Sequence, residues 1–244
     1  MFDPTEYLDH LRTELDRIMA TSEEVLNAPV TACPGWSVAD LLAHHDGVMR
    51  FATAQLRADP GADMAKFDPP EDGIPVLESF SSAADALCAE LVAVDPTEHR
   101  PNWIGAPESR FWWRRMAHEA AIHRWDVEAA YTPPAPIDTG LALDGVEEFC
   151  DVFLAHAARR GITGTGESLH LHATDDDIPD GAGEWMFTFT PDGVDVEHAH
   201  GKGDMAVRGP AHDLVLFVWN RRPVEVQTFG DIDPLAWWSA KVTI

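Results

Sequence analysis

Apolar residues recur at helical spacing at the start of the chain. Between Pro4 and about Asn27 they fall three or four positions apart, with charged residues between them, at Leu8, Leu11, Leu15, Ile18 and Met19. Side chains at this spacing share one face of a helix. The pattern therefore predicts a first amphipathic helix over residues 4–27.

Three further helices are predicted in the first half of the chain. Ser37 and Asp40 have the spacing of a capping box, which begins a second helix that continues to the Asp-Pro-Gly turn at residues 59–61. Apolar periodicity predicts a third helix over residues 76–94 and a fourth, rich in tryptophan, over residues 109–130. The proline-rich loops between these helices are predicted at residues 60–75 and 96–107.

The second half of the chain has a different pattern. A proline-rich connector, TPPAPID at residues 132–138, precedes a predicted helix over residues 140–160. Apolar and polar residues then alternate in SLHLHATD, EWMFTFT and VDVEHAH, which predicts three strands. The remaining predicted elements are a strand MAVRG, a helix PAHDLVLFVWN, a strand VEVQTFG and a helix at residues 235–241.

This order of elements predicts an α+β protein with two domains. The first domain, residues 1–131, is a helical bundle of four helices. The second and smaller domain, residues 138–244, combines strands and helices. The boundary is placed at the connector because its prolines exclude a helix.

Charge and cysteine content narrow the possible partners. The chain has 42 Asp and Glu against 17 Lys and Arg, a formal charge of −25, which repels nucleic-acid phosphates and anionic lipid headgroups. We therefore expect neither nucleic acid nor a membrane as a partner, and no apolar run resembles a signal peptide or a membrane span. Three dispersed cysteines support neither a disulfide framework nor a thiolate zinc site, so we expect a cytoplasmic protein.

One candidate metal site lies on the fourth predicted helix. Glu119 and His123 are four residues apart, so they share a helix face with the apolar residues Trp112, Met116, Ala120 and Val127. A buried carboxylate and imidazole cost free energy unless they are paired or bound to a cation. The second helix offers His44 and His45, one of which must face the bundle interior. Two histidines and one carboxylate are a set that binds zinc and leaves a coordination position open.

Other interpretations of these histidines remain open on spacing alone. In one of them, Glu119 and His123 merely hydrogen-bond each other or a neighbouring arginine, as buried polar pairs usually do. Two histidine pairs have strand spacing, namely His170 with His172 and His198 with His200. We predict that these strand-spaced pairs are solvated and do not bind a metal.

Three ordered motifs also resemble a known family. One segment, CPGWSVADLLAHHDGVMRFA, resembles the N-terminal signature of the mycothiol-dependent maleylpyruvate isomerase family, a DinB-like group of actinobacterial proteins. A second segment, RMAHEAAIHRWDVEAA, resembles the second signature of that family. Its C-terminal domain, which is similar to sterol-carrier folds, resembles LHLHATD followed by HGKGDMAVRGPAHDLVLFVWNRRP. The resemblance spans nearly the whole chain and implies a DinB-like four-helix bundle followed by a sterol-carrier-like domain.

The resemblance also implies site residues. The family's metal ligands are a His on the second helix and a Glu and a His on the fourth, which correspond to His44, Glu119 and His123. His44 is therefore preferred to its neighbour His45. The family pattern also matches Arg50, Arg124 and Asp126; the two arginines are candidate catalytic residues. Asp126 is expected to accept a hydrogen bond that orients an imidazole, unless it and Arg124 are only surface charges.

The activity that the resemblance implies is a thiol reaction at a divalent ion, which we expect to be zinc. The ion binds the sulfur of mycothiol, and the thiolate attacks a small electrophile. With maleylpyruvate the reaction is isomerisation to fumarylpyruvate; with other electrophiles it is S-transfer. Between Arg57 and Arg100 the chain has no arginine, the residue suited to binding a dicarboxylate, and this gap favours S-transfer. Two alternatives remain: a ligand-binding protein with a structural metal, and a metal-assisted hydrolase.

Overall fold

The computed structural model describes residues 1–59, 73–176, 178–179 and 181–243. It divides into two compact units, Met1–Ala135 and Pro136–Ile244. Most of the loop predicted at residues 60–75 lies outside the described residues. In the described part of the chain, none of the helices has the length and apolar character needed to cross a membrane.

The described residues of the first unit form four α-helices. They are α1 (Pro4–Met19), α2 (Val38–Leu56), α3 (Val76–Ala93) and α4 (Arg110–Ala129). Helix α1 packs against α3 and α4, and α2 packs against the same two helices. Their apolar faces meet in a core whose fully buried members include Leu11, Leu41, Phe80 and Trp112. Helix α4 contacts both α1 and α2, which explains why most of its residues are buried.

The first helix is shorter than its apolar pattern predicts. It ends at Met19, and a separate 3-10 turn forms at Glu23–Val25. The side chain of Ser22 accepts a hydrogen bond from the backbone N–H of Glu24, which begins that turn. Serine side chains offer the backbone such local alternatives to a continuous helix, so the prediction of a helix to Asn27 is wrong.

The predicted start of α2 is confirmed. The hydroxyl of Ser37 accepts a hydrogen bond from the backbone N–H of Asp40 at 3.2 Å, and the Asp40 carboxylate accepts one from the backbone N–H of Ser37 at 2.8 Å. These two bonds satisfy N–H groups that a helix start leaves unpaired. The helix ends at Leu56, slightly before the predicted turn, where Ala58 adopts a left-handed φ of 54°.

The second unit opens with a helical segment that changes its winding. Helix α5 covers Thr139–Glu148, after which the chain continues as a π-helical turn at Phe149–Phe153 and a 3-10 segment at Leu154–Arg160. The sequence predicts one helix over this region. Aromatic packing accompanies the change, because the Phe149 ring contacts both Phe153 and Trp219.

A five-stranded sheet forms the rest of this unit together with two helices. Its strands are β1 (Ser168–Ala173), β2 (Glu184–Thr190), β3 (Gly193–Glu197), β4 (Met205–Gly209) and β5 (Gln227–Gly230). Their order is β3-β2-β1-β4-β5, and only the β1–β4 pair is parallel. The helices are α6 (Ala211–Val218) and α7 (Pro234–Lys241).

Period-two alternation gives this sheet two different faces. Leu169, Leu171 and Phe187 point to the buried face, where the fully buried Trp238 of α7 contacts the rings of Phe187 and Phe217. Ring contacts of this kind add to the free energy gained by burying the aromatic area. The opposite face of β1 and β2 carries polar side chains, including histidines.

Three predicted strands are shorter in the structure. Strand β1 ends at Ala173, two residues before the end of the predicted strand. Strand β3 ends at Glu197, so His198 and His200 lie beyond it. Strand β5 begins at Gln227, the register partner of Arg208 near the end of β4. Upstream of this pair, the backbone N–H of Glu225 donates to Asp213 and takes no part in the sheet.

Candidate metal centre

Helices α2 and α4 bring three potential metal ligands together. Glu119 and His123 lie one turn apart on α4, with Glu119 Oε1 3.2 Å from His123 Nε2. His44 of α2 completes the group, in which the ligand atoms all lie within 4.8 Å of one another. The nitrogen and oxygen ligands of one tetrahedral zinc ion, at about 2.1 Å each, lie about 3.4 Å apart, so side-chain shifts of about 1.4 Å or less fit this group to an ion.

A buried carboxylate orients the imidazole of His123. Asp126 Oδ2 lies 3.1 Å from His123 Nδ1, and Asp126 is almost fully buried. With Nδ1 paired to this carboxylate, Nε2 faces Glu119 and the shared space between the helices. Metal-binding histidines usually have such a partner on their second ring nitrogen, so the geometry matches the role predicted for Asp126.

Glu119 has a cationic partner within its own helix. Arg115 Nη2 lies 2.9 Å from Glu119 Oε2, and the Arg115 side chain is buried. Burial raises the pKa of Glu119, but the charges and hydrogen bonding of His123 and the charge of Arg115 hold it well below its usual value. The sequence interpretation includes a neighbouring arginine as an alternative partner of this pair without naming it, and the i,i+4 spacing of Arg115 and Glu119 is a readable signal for that partner.

The electrostatics favour a cation between these groups. Burial lowers the pKa of His123, but the Glu119 charge and hydrogen bonding to Asp126 and Glu119 outweigh it, so the pKa is raised to about 9. The protein without an ion therefore holds a proton at the place where the ligands converge. A metal ion can replace that proton and supply the same compensating charge.

The two adjacent histidines of α2 occupy different environments. His44 is half-buried, with its ring 5.1 Å from Trp36 and 5.7 Å from His123; burial and the His123 charge lower its pKa. His45 is almost fully buried, with its ring 5.4 Å from Phe80. Among the described residues, His44 is the α2 histidine that has a ring nitrogen within 4.8 Å of the ligand atoms of Glu119 and His123, and His45 is not part of that group.

His45 nevertheless borders the site. Its ring lies 5.4 Å from that of His123, and among the described residues neither of its ring nitrogens has a hydrogen-bond partner. Burial, followed by the His123 charge, lowers its pKa to about 3, so the ring is neutral. Buried polar groups normally have hydrogen-bond partners. The lack of one at His45, beside Glu119 and the other two imidazoles, is consistent with a polar or ionic group bound here.

The two candidate catalytic arginines are paired with protein carboxylates. Arg50 Nε lies 2.5 Å from Asp46 Oδ1, and its Nη2 lies 3.2 Å from Ser79 Oγ. The Ser79 hydroxyl in turn donates to Asp46. The Arg50 side chain is 37% exposed, which leaves part of it accessible to a ligand.

Arg124 is enclosed more completely. Its side chain is 0% exposed; Nε lies 2.6 Å from Glu14, and Nη1 lies 3.1 Å from Glu128 and 2.5 Å from the carbonyl oxygen of Ala135. These contacts connect α4 to α1 and to the end of the first unit. They leave Arg124 in a setting typical of a buried structural ion pair.

The strand-spaced histidines also converge, contrary to the prediction that both pairs are solvated. His170 is buried, and together with His172, Glu184 and His200 it forms a second group whose ligand atoms lie within 4.8 Å of one another. His198 is not a member of this group and pairs with Glu147 at 3.3 Å.

Comparisons with known proteins identify the family. Residues 8–128 match the model of the mycothiol maleylpyruvate isomerase N-terminal domain, and residues 140–239 match the model of the C-terminal domain of the same isomerase. The two matches cover most of the chain, and the chain belongs to the mycothiol maleylpyruvate isomerase family. The predicted family is thereby confirmed. Among curated proteins, none matches this chain in sequence.

Solved structures support the fold. The crystal structure of the mycothiol-dependent maleylpyruvate isomerase matches with a TM-score of 0.64 over 95% of both chains at 13% sequence identity. The crystal structure of a mutant of that enzyme, with one histidine changed to alanine, gives the same values. The chain therefore has the α+β fold of that enzyme, with a helical N-terminal part and a five-stranded sheet in the C-terminal part, and the predicted fold class is confirmed at this level.

Proposed function

We propose that this protein is a metal-dependent enzyme that uses mycothiol to attack a small electrophile. The observation that carries the proposal is the convergence of His44, Glu119 and His123 from two helices of a chain that belongs to this family. In this interpretation the first unit is a DinB-like four-helix bundle and the second a sterol-carrier-like domain. We further propose a cytoplasmic location in an actinobacterium, where mycothiol is the thiol partner.

The donor set suits zinc. Two imidazoles and one carboxylate are typical ligands of a catalytic zinc, which keeps a further position open, whereas a structural zinc has four protein ligands. When bound, the ion supplies the positive charge that stabilises a thiolate near neutral pH. A set of three protein ligands, rather than four, separates this proposal from a ligand-binding protein with a closed structural metal.

Neighbouring residues hold the ligands in place. Asp126 accepts from Nδ1 of His123 and so keeps Nε2 available, while Arg115 holds the Glu119 carboxylate through Oε2. Both contacts limit side-chain rotation and reduce the entropy lost when the ligands are ordered. Trp36 lies against the His44 ring and restricts it in the same way.

The reaction class follows from the thiol. In isomerisation, the mycothiol thiolate adds to the cis double bond of maleylpyruvate, the new single bond rotates, and elimination of the thiolate leaves the trans double bond. In S-transfer, the new carbon–sulfur bond is kept: a leaving group departs with the electron pair of its broken bond, or, after addition to a double bond, the neighbouring carbon takes up a proton. Arg50 is the candidate clamp for a carboxylate: it also pairs with a protein carboxylate, but its side chain is 37% exposed, whereas those of Arg115 and Arg124 are buried. This limited supply of cations favours a small electrophile with little charge over a dicarboxylate.

Metal analysis tests the first premise. Glu119→Gln and His123→Ala should each lower the zinc content of the purified, untagged protein by one equivalent per chain, and His44→Ala should weaken binding at this site. Glu78→Gln, which alters an exposed carboxylate on α3, is the matched control and should leave zinc content unchanged. Loss of zinc in His45→Ala with full zinc in His44→Ala would assign the ligand to the neighbouring residue. Unchanged zinc in all of these variants would refute the site.

Cobalt substitution tests thiol activation. Sulfur ligation should produce an intense charge-transfer absorption when mycothiol is added, and Glu119→Gln should abolish it. An unchanged spectrum at saturating mycothiol would refute the thiol reaction and favour metal-assisted hydrolysis, which uses water in the open position. Product analysis by mass spectrometry then separates isomerisation from S-transfer, since only S-transfer yields a stable thiol adduct.

A further inference from the structure

The polar face of the sheet, opposite the face that packs against Trp238, carries a cluster of three histidines and one glutamate. His170 and His172 are two residues apart on β1, so both side chains leave the same face. Glu184 on β2 is the register partner of His172. His200 lies beyond the end of β3 and returns over this face. We call these four residues the sheet histidine cluster.

The cluster is centred on the carboxylate of Glu184. Its Oε2 lies 2.6 Å from His200 Nδ1 and 3.1 Å from His170 Nε2, while its Oε1 lies 3.7 Å from His172 Nδ1. The ring centroids of the three histidines are 5.5 to 6.0 Å apart. One ligand atom from each of the four residues lies within 4.8 Å of every other.

Shifts of about 1.4 Å or less bring these atoms to the separations found around a single tetrahedral ion. Metal–nitrogen and metal–oxygen distances of about 2.1 Å place two ligands of one tetrahedral zinc ion about 3.4 Å apart. Two of the histidines and the glutamate are held on adjacent hydrogen-bonded strands, which are a rigid frame for a binding site. Only His200 comes from outside the ladder, so a small shift of one segment can complete the coordination.

Burial also distinguishes this cluster from a chance grouping of surface side chains. The side chains of His170, Glu184 and His172 are only 7%, 23% and 28% exposed, whereas His200 is 76% exposed. Burial is the largest effect on His170 and lowers its pKa. Burial raises the pKa of Glu184, but hydrogen bonding and charge from the histidines outweigh it, so the pKa is lowered overall.

We propose that His170, His172, Glu184 and His200 form a second metal site, which takes one divalent transition-metal ion of the zinc, cobalt or nickel type. Three imidazoles select such borderline ions over magnesium and calcium, which prefer oxygen ligands. This site lies in the second unit, uses none of the residues of the α2–α4 site, and does not depend on the proposed thiol reaction. Its partly exposed face leaves room for water or a small ligand on the ion.

One cation lies on the same face. Arg208 on β4 is the register partner of His172, and register partners on neighbouring strands extend to the same side of the sheet. Its side chain is exposed, so solvent screens its charge. The site therefore has one carboxylate and one nearby guanidinium, which favours a small transition-metal ion bound through nitrogen over a hard cation held by charge alone.

The test measures zinc binding in a protein that lacks the first site. Untagged full-length Glu119→Gln protein is stripped with a chelator and dialysed against low micromolar zinc, and bound metal is measured by mass spectrometry. We expect one equivalent per chain, against two for the unmodified chain. No bound zinc in the Glu119→Gln protein would overturn the proposal.

Variants in this background assign the ligands. His200→Ala and His172→Ala should each weaken zinc binding at least tenfold, since even loss of a residue that only orients a ligand costs roughly 10- to 100-fold. His198→Ala is the matched control, because His198 is an exposed neighbour outside the cluster that pairs with Glu147. Zinc affinity that is unchanged in both cluster variants, or reduced equally by His198→Ala, would overturn the assignment.

The His200→Ala variant separates loss of the metal site from loss of the fold. His200 is exposed and lies outside the strands, so its replacement should leave the far-ultraviolet circular dichroism spectrum unchanged. Cobalt absorption provides a second readout: a bound ion should give ligand-field bands without a sulfur charge-transfer band, in the presence and absence of mycothiol. A spectrum of fully hydrated cobalt would count against the site.

Discussion

Replacing Arg124 tests whether this residue is structural or catalytic. The guanidinium is fully buried between Glu14 and Glu128, at 2.6 and 3.1 Å, and also donates to the carbonyl oxygen of Ala135. Arg124→Met keeps a long apolar side chain but leaves the Glu14 carboxylate, which is 5% exposed, without this partner. Removing one partner of a buried ion pair costs about 3–5 kcal/mol, because the remaining charge stays buried.

Urea denaturation measures this loss. With a slope of about 2 kcal/mol per molar urea, a loss of about 4 kcal/mol lowers the midpoint by roughly 2 M. Arg110→Met is the matched control: Arg110 pairs with Glu108 at 2.6 Å, but both side chains are more than 40% exposed, and such surface pairs contribute about 0–1 kcal/mol.

A double variant isolates the interaction. Adding Glu14→Gln to Arg124→Met should restore part of the stability, because it removes the stranded charge. A loss below about 1 kcal/mol in Arg124→Met, together with abolished thiol chemistry, would refute the structural role and return Arg124 to the catalytic candidates.

Two further substitutions and one proteolysis experiment test other parts of the structure. Asp126→Asn should weaken zinc binding at the α2–α4 site by roughly 10- to 100-fold with stoichiometry retained, measured by chelator competition, because the carboxylate orients His123; unchanged affinity would show that the orientation is unimportant. Ser37→Ala should lower unfolding free energy by about 1 kcal/mol, since it removes the N-cap of α2, and a neutral effect in denaturation would contradict that cap. Limited proteolysis should cut first in the connector at residues 132–138; earlier cleavage within β1 to β3 would contradict the two-domain organisation.

Local sequence determined much of the secondary structure. The capping box of Ser37 and Asp40, the apolar spacing of α3 and α4, and the period-two alternation of β1 and β2 are properties of neighbouring residues, and the structure has these elements nearly as predicted. The same spacing placed Glu119 and His123 on one helix face. Errors occurred where a side chain competed for backbone N–H groups, as Ser22 does after α1 and as Asp213 does with Glu225 before β5.

Tertiary structure decided which distant side chains meet. Periodicity could not choose between His44 and His45, because both have apolar residues at helical spacing on α2. The packing of α2 against α3 and α4 brings His44 close to Glu119 and His123 and buries His45 against Phe80. The strand-spaced histidines show the same limit. His170 and His172 gain their significance from Glu184 and His200, which strand pairing and the chain after β3 bring to them. Spacing along a chain fixes the face on which a residue lies, but only packing fixes what that face meets.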